Sequence, residues 1–163
     1  MSDSESIHAL AARLIARMQL LDALINNAGI YKAPARDVWA VNLLGPLLLT
    51  RALEPLLAPN ARVVMVTSGL GELSAQPKDL VKRLSNPELT FADLERLAIE
   101  APNGYGGSKA ALNATTRLFA EQLKSRGIRV TAIDPGWVRT DMGGRNATRS
   151  VAEGAARVLS GLR

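Results

Sequence analysis

Apolar positions along this chain recur either at helical spacing or in short unbroken runs, and the two alternate. Ile7, Leu10, Ala11, Leu14, Ile15 and Met18 share one helical face, which predicts a surface helix over Ser6–Met18 capped by Ser4 or Ser6. Leu20–Ile25 is a short apolar run ended by Asn26-Asn27-Ala28-Gly29, the pattern of a buried strand opening into a turn. Arg36–Leu57 is again helical but apolar around most of its circumference, so it should be buried on more than one side. Arg62–Thr67 predicts a second buried strand and Ile128–Ile133 a third, stopped by Asp134-Pro135-Gly136. Between them lie a helix over Phe91–Ile99 behind Thr90 and a long one over Tyr105–Ser125 closed by Gly127. A last helix over Ser150–Leu162 carries a capping signal, Ser150 with Glu153 three residues on.

Strand, helix, strand, helix, strand with long crossovers predicts an α/β fold, a parallel sheet of about three strands flanked by helices. Ligands of such sheets sit beyond the carboxyl ends of the strands. Three polar or glycine-rich turns follow those ends, at 26–29, 68–71 and 135–140, and would share one rim. The stretch from Ser68 to Asn103 is patterned more weakly and punctuated by Pro77, Pro87 and Pro102, so 69–103 is expected to be a lid or insertion.

The 163 residues suffice for one core of moderate size, a single domain over 1–163. Their 47% hydrophobic and 21% charged content is that of a water-soluble globular protein, and the longest apolar run is too short for a membrane span. Met1–Ser6 is polar and acidic, unlike a secretory signal, and the expected compartment is the cytoplasm. The absence of cysteine removes disulfides, zinc-thiolate sites and thiol nucleophiles, and one histidine, His8, cannot build a metal site. A net charge of +5 is spread between apolar positions rather than stacked into a run, so no nucleic-acid partner is expected.

Candidate chemistry begins at Tyr105-Gly106-Gly107-Ser108-Lys109, which sets a phenol and an ammonium four residues apart on one helix face. A neighbouring cation favours tyrosinate and is a direct means of lowering a phenol pKa near 10. Alone such a pair carries little, since tyrosine and lysine stand at that spacing in many helices. A second feature is Asn42, four residues before Pro46. Proline has no N–H to donate to the Asn42 carbonyl, which leaves that carbonyl free to hold water, unless Gly45-Pro46 merely kinks a buried helix.

With Asn26-Asn27-Ala28-Gly29, Val41-Asn42-Leu43, Val66-Thr67-Ser68, Tyr105 to Lys109 and Asp134-Pro135-Gly136 in this order, the chain resembles the short-chain dehydrogenase/reductase family. The resemblance runs from the helix before the first strand to Thr140-Asp141-Met142-Gly143-Gly144. It implies a partial Rossmann-type sheet and an NAD(P)-dependent oxidoreductase that interconverts a carbonyl and an alcohol. By this resemblance Tyr105 is the proton donor, Lys109 lowers its pKa and holds the nicotinamide ribose, Ser68 orients the substrate oxygen, and Asn42 completes the tetrad. Asn26, Ala28 and Gly29, and then Pro135, Gly136, Val138 and Thr140, would contact the cofactor, either NADP or NAD with NADP favoured. The long separation of Ser68 from Tyr105, and Leu84 to Thr90 within it, resemble the insertion of carbonyl-reductase-like members. These tend to be monomeric and take small carbonyl compounds.

A full family member begins with a strand and a T-G-x-x-x-G-x-G turn that binds the pyrophosphate, and no such turn occurs in this sequence. The resemblance sets Ser2–Ile7 just after the family's third strand, so the strand over Leu20–Ile25 is expected to be an open edge. Two functions therefore stand side by side: a reductase, or a catalytically inactive remnant that binds a partner or self-associates through that edge.

Overall fold

The computed structural model describes residues 4–17 and 20–163. Met1–Asp3, part of the polar start, and Met18 of the expected first helix lie outside the described residues. Helix α1 spans Ser4–Ala16 and packs Ile7 and Ala11 against Leu49, Leu53 and Leu56. Strand β1, Leu21–Asn26, follows, and then the helical region expected as one continuous element.

That region is broken into pieces. Helix α2 (Ala35–Trp39) passes into a π-helical turn over Ala40–Leu44, then into α3 (Gly45–Leu53) and a short 3₁₀ turn over Glu54–Leu56. Within it the Gly45 N–H donates to the Ala40 carbonyl five residues back rather than four. Pro46 cannot donate an N–H, and the wider turn absorbs the interruption without a sharp break. Strand β2 begins at Leu57, five residues earlier than expected, and runs to Val66. Leu57 pairs with Leu21, and a register shift before Ala23 opposite Arg62 admits the extra residues, with Asn60 at φ 63 in the left-handed region.

Helix α4 (Lys78–Leu84), not foreseen, precedes α5 (Phe91–Glu100), whose N-terminus Thr90 and Asp93 close as a capping box. Helix α6 (Tyr105–Leu123), strand β3 (Arg129–Ile133) and helix α7 (Val151–Ser160) complete the chain, and the Ser150–Glu153 box forms as expected. The three strands are parallel in the order β1-β2-β3, so β1 has a neighbour on one side only among the described residues. Their carboxyl ends align, Asn26 with Met65 and Val66 with Ile133. The rim inferred from the three turns is therefore a single place.

The segment 69–103 is packed into the core. Leu80, Leu84, Leu89, Leu94 and Leu97 share one buried cluster with Trp39, Leu43 and Leu47 of the α2–α3 region and Ala110 and Ala111 of α6. Ion pairs at its surface, Arg83 to Glu100 at 2.5 Å and Arg51 to Glu95 at 2.8 Å, add little by comparison. The opposite side of α6 packs Leu112, Phe119 and Leu123 on Val63, Met65 and Val130 of the sheet. On the other face α7 contributes only Val158, against Val64 and Val66. Helix α6 is thus held between sheet and insertion. No helix among the described residues is long and apolar enough to cross a membrane.

Candidate active site

Tyr105 opens α6, and close approach of backbone to backbone fixes where that end lies. Ser68 begins a 3₁₀ turn over Gly69–Gly71, its hydroxyl accepting from the Leu70 N–H at 3.2 Å. A Cβ on Gly71 would lie 2.8 Å from both the carbonyl carbon and Cβ of Lys109, so only glycine lets this turn meet the helix. Asn113 holds the same contact from the side, donating to the Gly71 carbonyl at 3.1 Å and accepting from the Thr67 hydroxyl at 2.7 Å. Asn103 caps α6, its Oδ1 accepting from the Gly107 N–H at 3.1 Å.

Lys109 is only 3% exposed, and its Nζ donates to the Val66 carbonyl at 2.8 Å. Burial pushes the amine down from 10.5 to about 8. Nζ lies 5.6 Å from the centroid of the Tyr105 ring. The lowering of the phenol expected from this cation is nevertheless absent. Burial lifts Tyr105 above its ordinary value, a hydrogen bond with Ser68 draws it back, and the charges of Asp134 and Tyr31 raise it further. The phenol pays a burial cost of its own, and that cost outweighs what Ser68 draws back.

Asn42 is wholly buried within the π-helical turn. Its Oδ1 accepts from the Ile30 N–H at 2.8 Å, and its Nδ2 donates to the Ile30 carbonyl at 2.9 Å and to Ser108 Oγ at 3.1 Å. The Ser108 hydroxyl donates in turn to the Tyr105 carbonyl at 2.7 Å. A single amide therefore ties the turn after β1 to the start of α6. A Cβ on Gly29 would stand 3.3 Å from Asn42 Oδ1 and 3.5 Å from Lys109 Nζ, which brings that turn directly onto the two polar groups.

Asn42, Ser68, Tyr105 and Lys109 thus converge, with Ala28 and Gly29 half-buried alongside. Asn26 does not join them. Its side chain, 2% exposed, turns into the protein and donates to Thr50 Oγ1 at 3.1 Å and Met65 Sδ at 3.2 Å. A buried carboxamide at the end of a strand is used here to fasten α3 to the sheet. Pro135 and Gly136 lie at the rim, where the Asp134 carboxylate accepts from the Gly136 N–H at 2.8 Å. The Val138 side chain packs against Gly154 of α7. The Thr140 hydroxyl is taken up within its own turn by the Gly143 N–H at 3.2 Å.

Asn103, Ser108 and Asn113 were not singled out from sequence, because a buried amide or hydroxyl that fastens two loops leaves no pattern along the chain. Tyr31 was also missed: its ring meets that of Tyr105 at 5.1 Å between centroids and 87° between planes.

Comparison with known proteins places this geometry. A family model described as short chain dehydrogenase matches residues 1–77, and one described as enoyl-(acyl carrier protein) reductase matches 89–159. C-signal of Myxococcus xanthus is 34% identical over 87% of this chain and 82% of its own length. Carbonyl reductase [NADPH] 1 of Mus musculus is 32% identical over 93% of this chain, which spans 65% of the length of that relative. Among solved structures, NADPH-bound carbonyl reductase from chicken fatty liver is 30% identical with a TM-score of 0.74, covering 99% of this chain and 66% of that one. Salutaridine reductase from Papaver somniferum superposes with a TM-score of 0.84 over 99% of this chain and 75% of that one; at 23% identity it speaks for the fold alone. The chain belongs to the short-chain dehydrogenase/reductase family and is similar to its carbonyl reductases.

Proposed function

We propose that this chain carries the proton-transfer half of an NADP(H)-dependent carbonyl reductase, with Tyr105 as the proton donor. The observation that carries the reading is the Tyr105 phenol at the start of α6, its ring centroid 5.6 Å from the Lys109 ammonium, with Ser68 on the turn that meets the same helix through Gly71. A phenol held above its ordinary pKa keeps its proton at neutral pH, as a donor to a carbonyl oxygen requires. Ser68 orients the substrate oxygen beside it. The bound nicotinamide would supply the hydride to the carbonyl carbon. The proton passes from Tyr105 to the oxygen, and the phenolate left behind is stabilised by Lys109 and Ser68.

The residues present fit the ribose end of such a cofactor. Lys109 has three N–H donors and Val66 accepts one, so a buried ammonium keeps donors for hydroxyl groups. Ala28, Gly29, Pro135 and Gly136, with the backbone of Val138, would line the same approach, and Thr140 would stand at its edge. NADP rather than NAD follows from the similarity to NADPH carbonyl reductases. Exposed Tyr31, Leu70, Trp137 and Met142 lie on the turns of the same rim and support small apolar carbonyl compounds as substrates. A cytoplasmic setting suits a chain with no cysteine.

The test is titration of the chain with NADPH and NADH by fluorescence and thermal shift, then a screen of carbonyl substrates. Tyr105→Phe should retain cofactor binding and lose turnover, and Lys109→Ala should lose both. A folded chain that binds neither nucleotide at millimolar concentration would overturn the reading for the chain by itself. A second reading, a non-catalytic module that self-associates, rests on β1, unpaired on one side among the described residues, beside exposed Ile15 and Leu20. Light scattering on wild-type chain and on a Leu20→Lys variant separates the two: loss of a dimer in the variant supports the module.

A further inference from the structure

We infer that Tyr31 is a positioning residue for Tyr105, holding its ring against Ser68 and covering it from solvent. The inference rests on the reading of Tyr105 as the proton donor and adds to it a second phenol.

Tyr31 follows Ile30, whose N–H and carbonyl are both bonded to the Asn42 amide, and its own carbonyl accepts from the Ala33 N–H at 3.2 Å. The backbone that carries Tyr31 is therefore fixed on both sides. The same Asn42 amide reaches Ser108, whose hydroxyl bonds the Tyr105 carbonyl. One buried side chain thus sets the origin of both rings, and the rings meet at 5.1 Å and 87°, the edge-to-face arrangement that aromatic quadrupoles favour. Tyr31 is 45% exposed, so its ring does not serve the core. What it covers is Tyr105. A tyrosine at the first position of a helix has few neighbours of its own to limit its rotamer, and a hydroxyl displaced by a fraction of an ångström misses the line to a carbonyl oxygen. The groups facing the Tyr105 phenol are Ser68 from the 3₁₀ turn, Lys109 from α6, Asp134 from the turn after β3 and Tyr31 itself. Of these, Tyr31 supplies area without a fixed charge at neutral pH.

The composition makes this testable without activity, because the chain has two tyrosines. In Tyr31→Phe and in Tyr31→Ala the only phenol is Tyr105, and its ionisation is read from absorbance at 295 nm. Tyr31→Phe should keep the part of the raised midpoint that burial supplies and lose only the smaller part that the Tyr31 charge adds. Tyr31→Ala should bring the midpoint down towards the ordinary phenol value as water reaches the ring. Equal midpoints in the two variants would overturn the inference. Should the alanine variant fail to fold by circular dichroism, Tyr31→Ser provides the same comparison, since it too removes the ring that covers Tyr105. In the presence of NADPH and a carbonyl substrate, kcat should fall on the order of tenfold in Tyr31→Ala with KM little changed, and return in Tyr31→Phe. An active Tyr105→Phe would sink the donor reading; different midpoints would still establish that Tyr31 covers Tyr105. Equal midpoints with an inactive Tyr105→Phe would sink the present inference alone.

Discussion

Lys109 and Val66 form a hydrogen bond that holds the buried ammonium, Nζ to carbonyl at 2.8 Å, and no carboxylate among the described residues pairs with it. A charge held this way costs stability, and the cost depends on pH. Unfolded, the amine titrates near 10.5; folded, near 8. Below pH 8 both states hold the proton and the full penalty opposes folding. Between pH 8 and 10.5 the unfolded chain binds a proton that the folded chain has shed, so stability rises with pH, by about 3 kcal/mol across the window. Above 10.5 the penalty is gone. Urea unfolding of wild type and Lys109→Met at pH 7.5 and pH 10 measures this: the difference between the two proteins should shrink as pH rises. A difference constant with pH would show that the amine is not held charged out of water.

Asn42 connects three pieces of chain, and its loss should cost more than one hydrogen bond. Asn42→Leu leaves the Ile30 N–H and carbonyl without partners in a buried setting, at roughly 1–3 kcal/mol for each group left unpaired. Asn42→Asp keeps the acceptor for the Ile30 N–H but sets an oxygen against the Ile30 carbonyl, and should destabilise as well. Chemical denaturation of both variants checks the ordering. If both match wild type, the amide is not what fixes the turn.

The segment expected as a lid or insertion contributes to one of the buried clusters of the core. Leu94 and Leu97 are fully buried against Trp39, Leu43 and Leu47. Leu94→Ala should therefore cost about 2–5 kcal/mol, the range for a large-to-small change in a packed interior. Amide exchange offers a second view: the α5 amides should exchange only with global unfolding, together with those of α6. Fast exchange in α5 against slow exchange in α6 would restore the lid.

How much of this was legible in the sequence depends on the range of the interactions concerned. Strands β1 and β3, α5, α6 and the Ser150 cap follow from periodicity and end signals that act within a few residues, and they form within one or two positions of the expected boundaries. Leu57 as strand rather than helix does not, because it is decided by pairing with Leu21, a partner distant in the chain. Helix α4 lies between Pro77 and Pro87 and is too short for a periodic signal; its Leu80 and Leu84 make sense only against α6. At the site, Ser68 was visible as a type at a strand end, and Tyr105 and Lys109 as a pair at the start of a helix. The direction in which Asn26 points was not, since an asparagine in a turn reads alike whether it faces a ligand or Thr50. Nor was the balance at Tyr105, where burial outweighs the hydrogen bonding by Ser68 that draws the phenol down.

The last prediction concerns Gly71, where the site meets the helix that carries it. The 3₁₀ turn can lie on α6 because nothing projects from Gly71, and an added methyl would stand 2.8 Å from two atoms of Lys109 and 3.0 Å from the Ala110 nitrogen. Those atoms belong to the helix itself and cannot swing away as a long side chain would. Gly71→Ala must therefore move the turn, and with it Ser68, or shift the first turns of α6, and with them Tyr105. Either way the Ser68 bond to Tyr105 is lost while the core remains largely in place. The expected outcome is a folded protein destabilised by about 1–3 kcal/mol. Its Tyr105 phenol, read in a Tyr31→Phe background, should titrate higher than in Tyr31→Phe alone, because the Ser68 bond is what draws it down. An unchanged midpoint with unchanged stability would mean that the turn accommodates a methyl, and that Ser68 is held by something other than this contact.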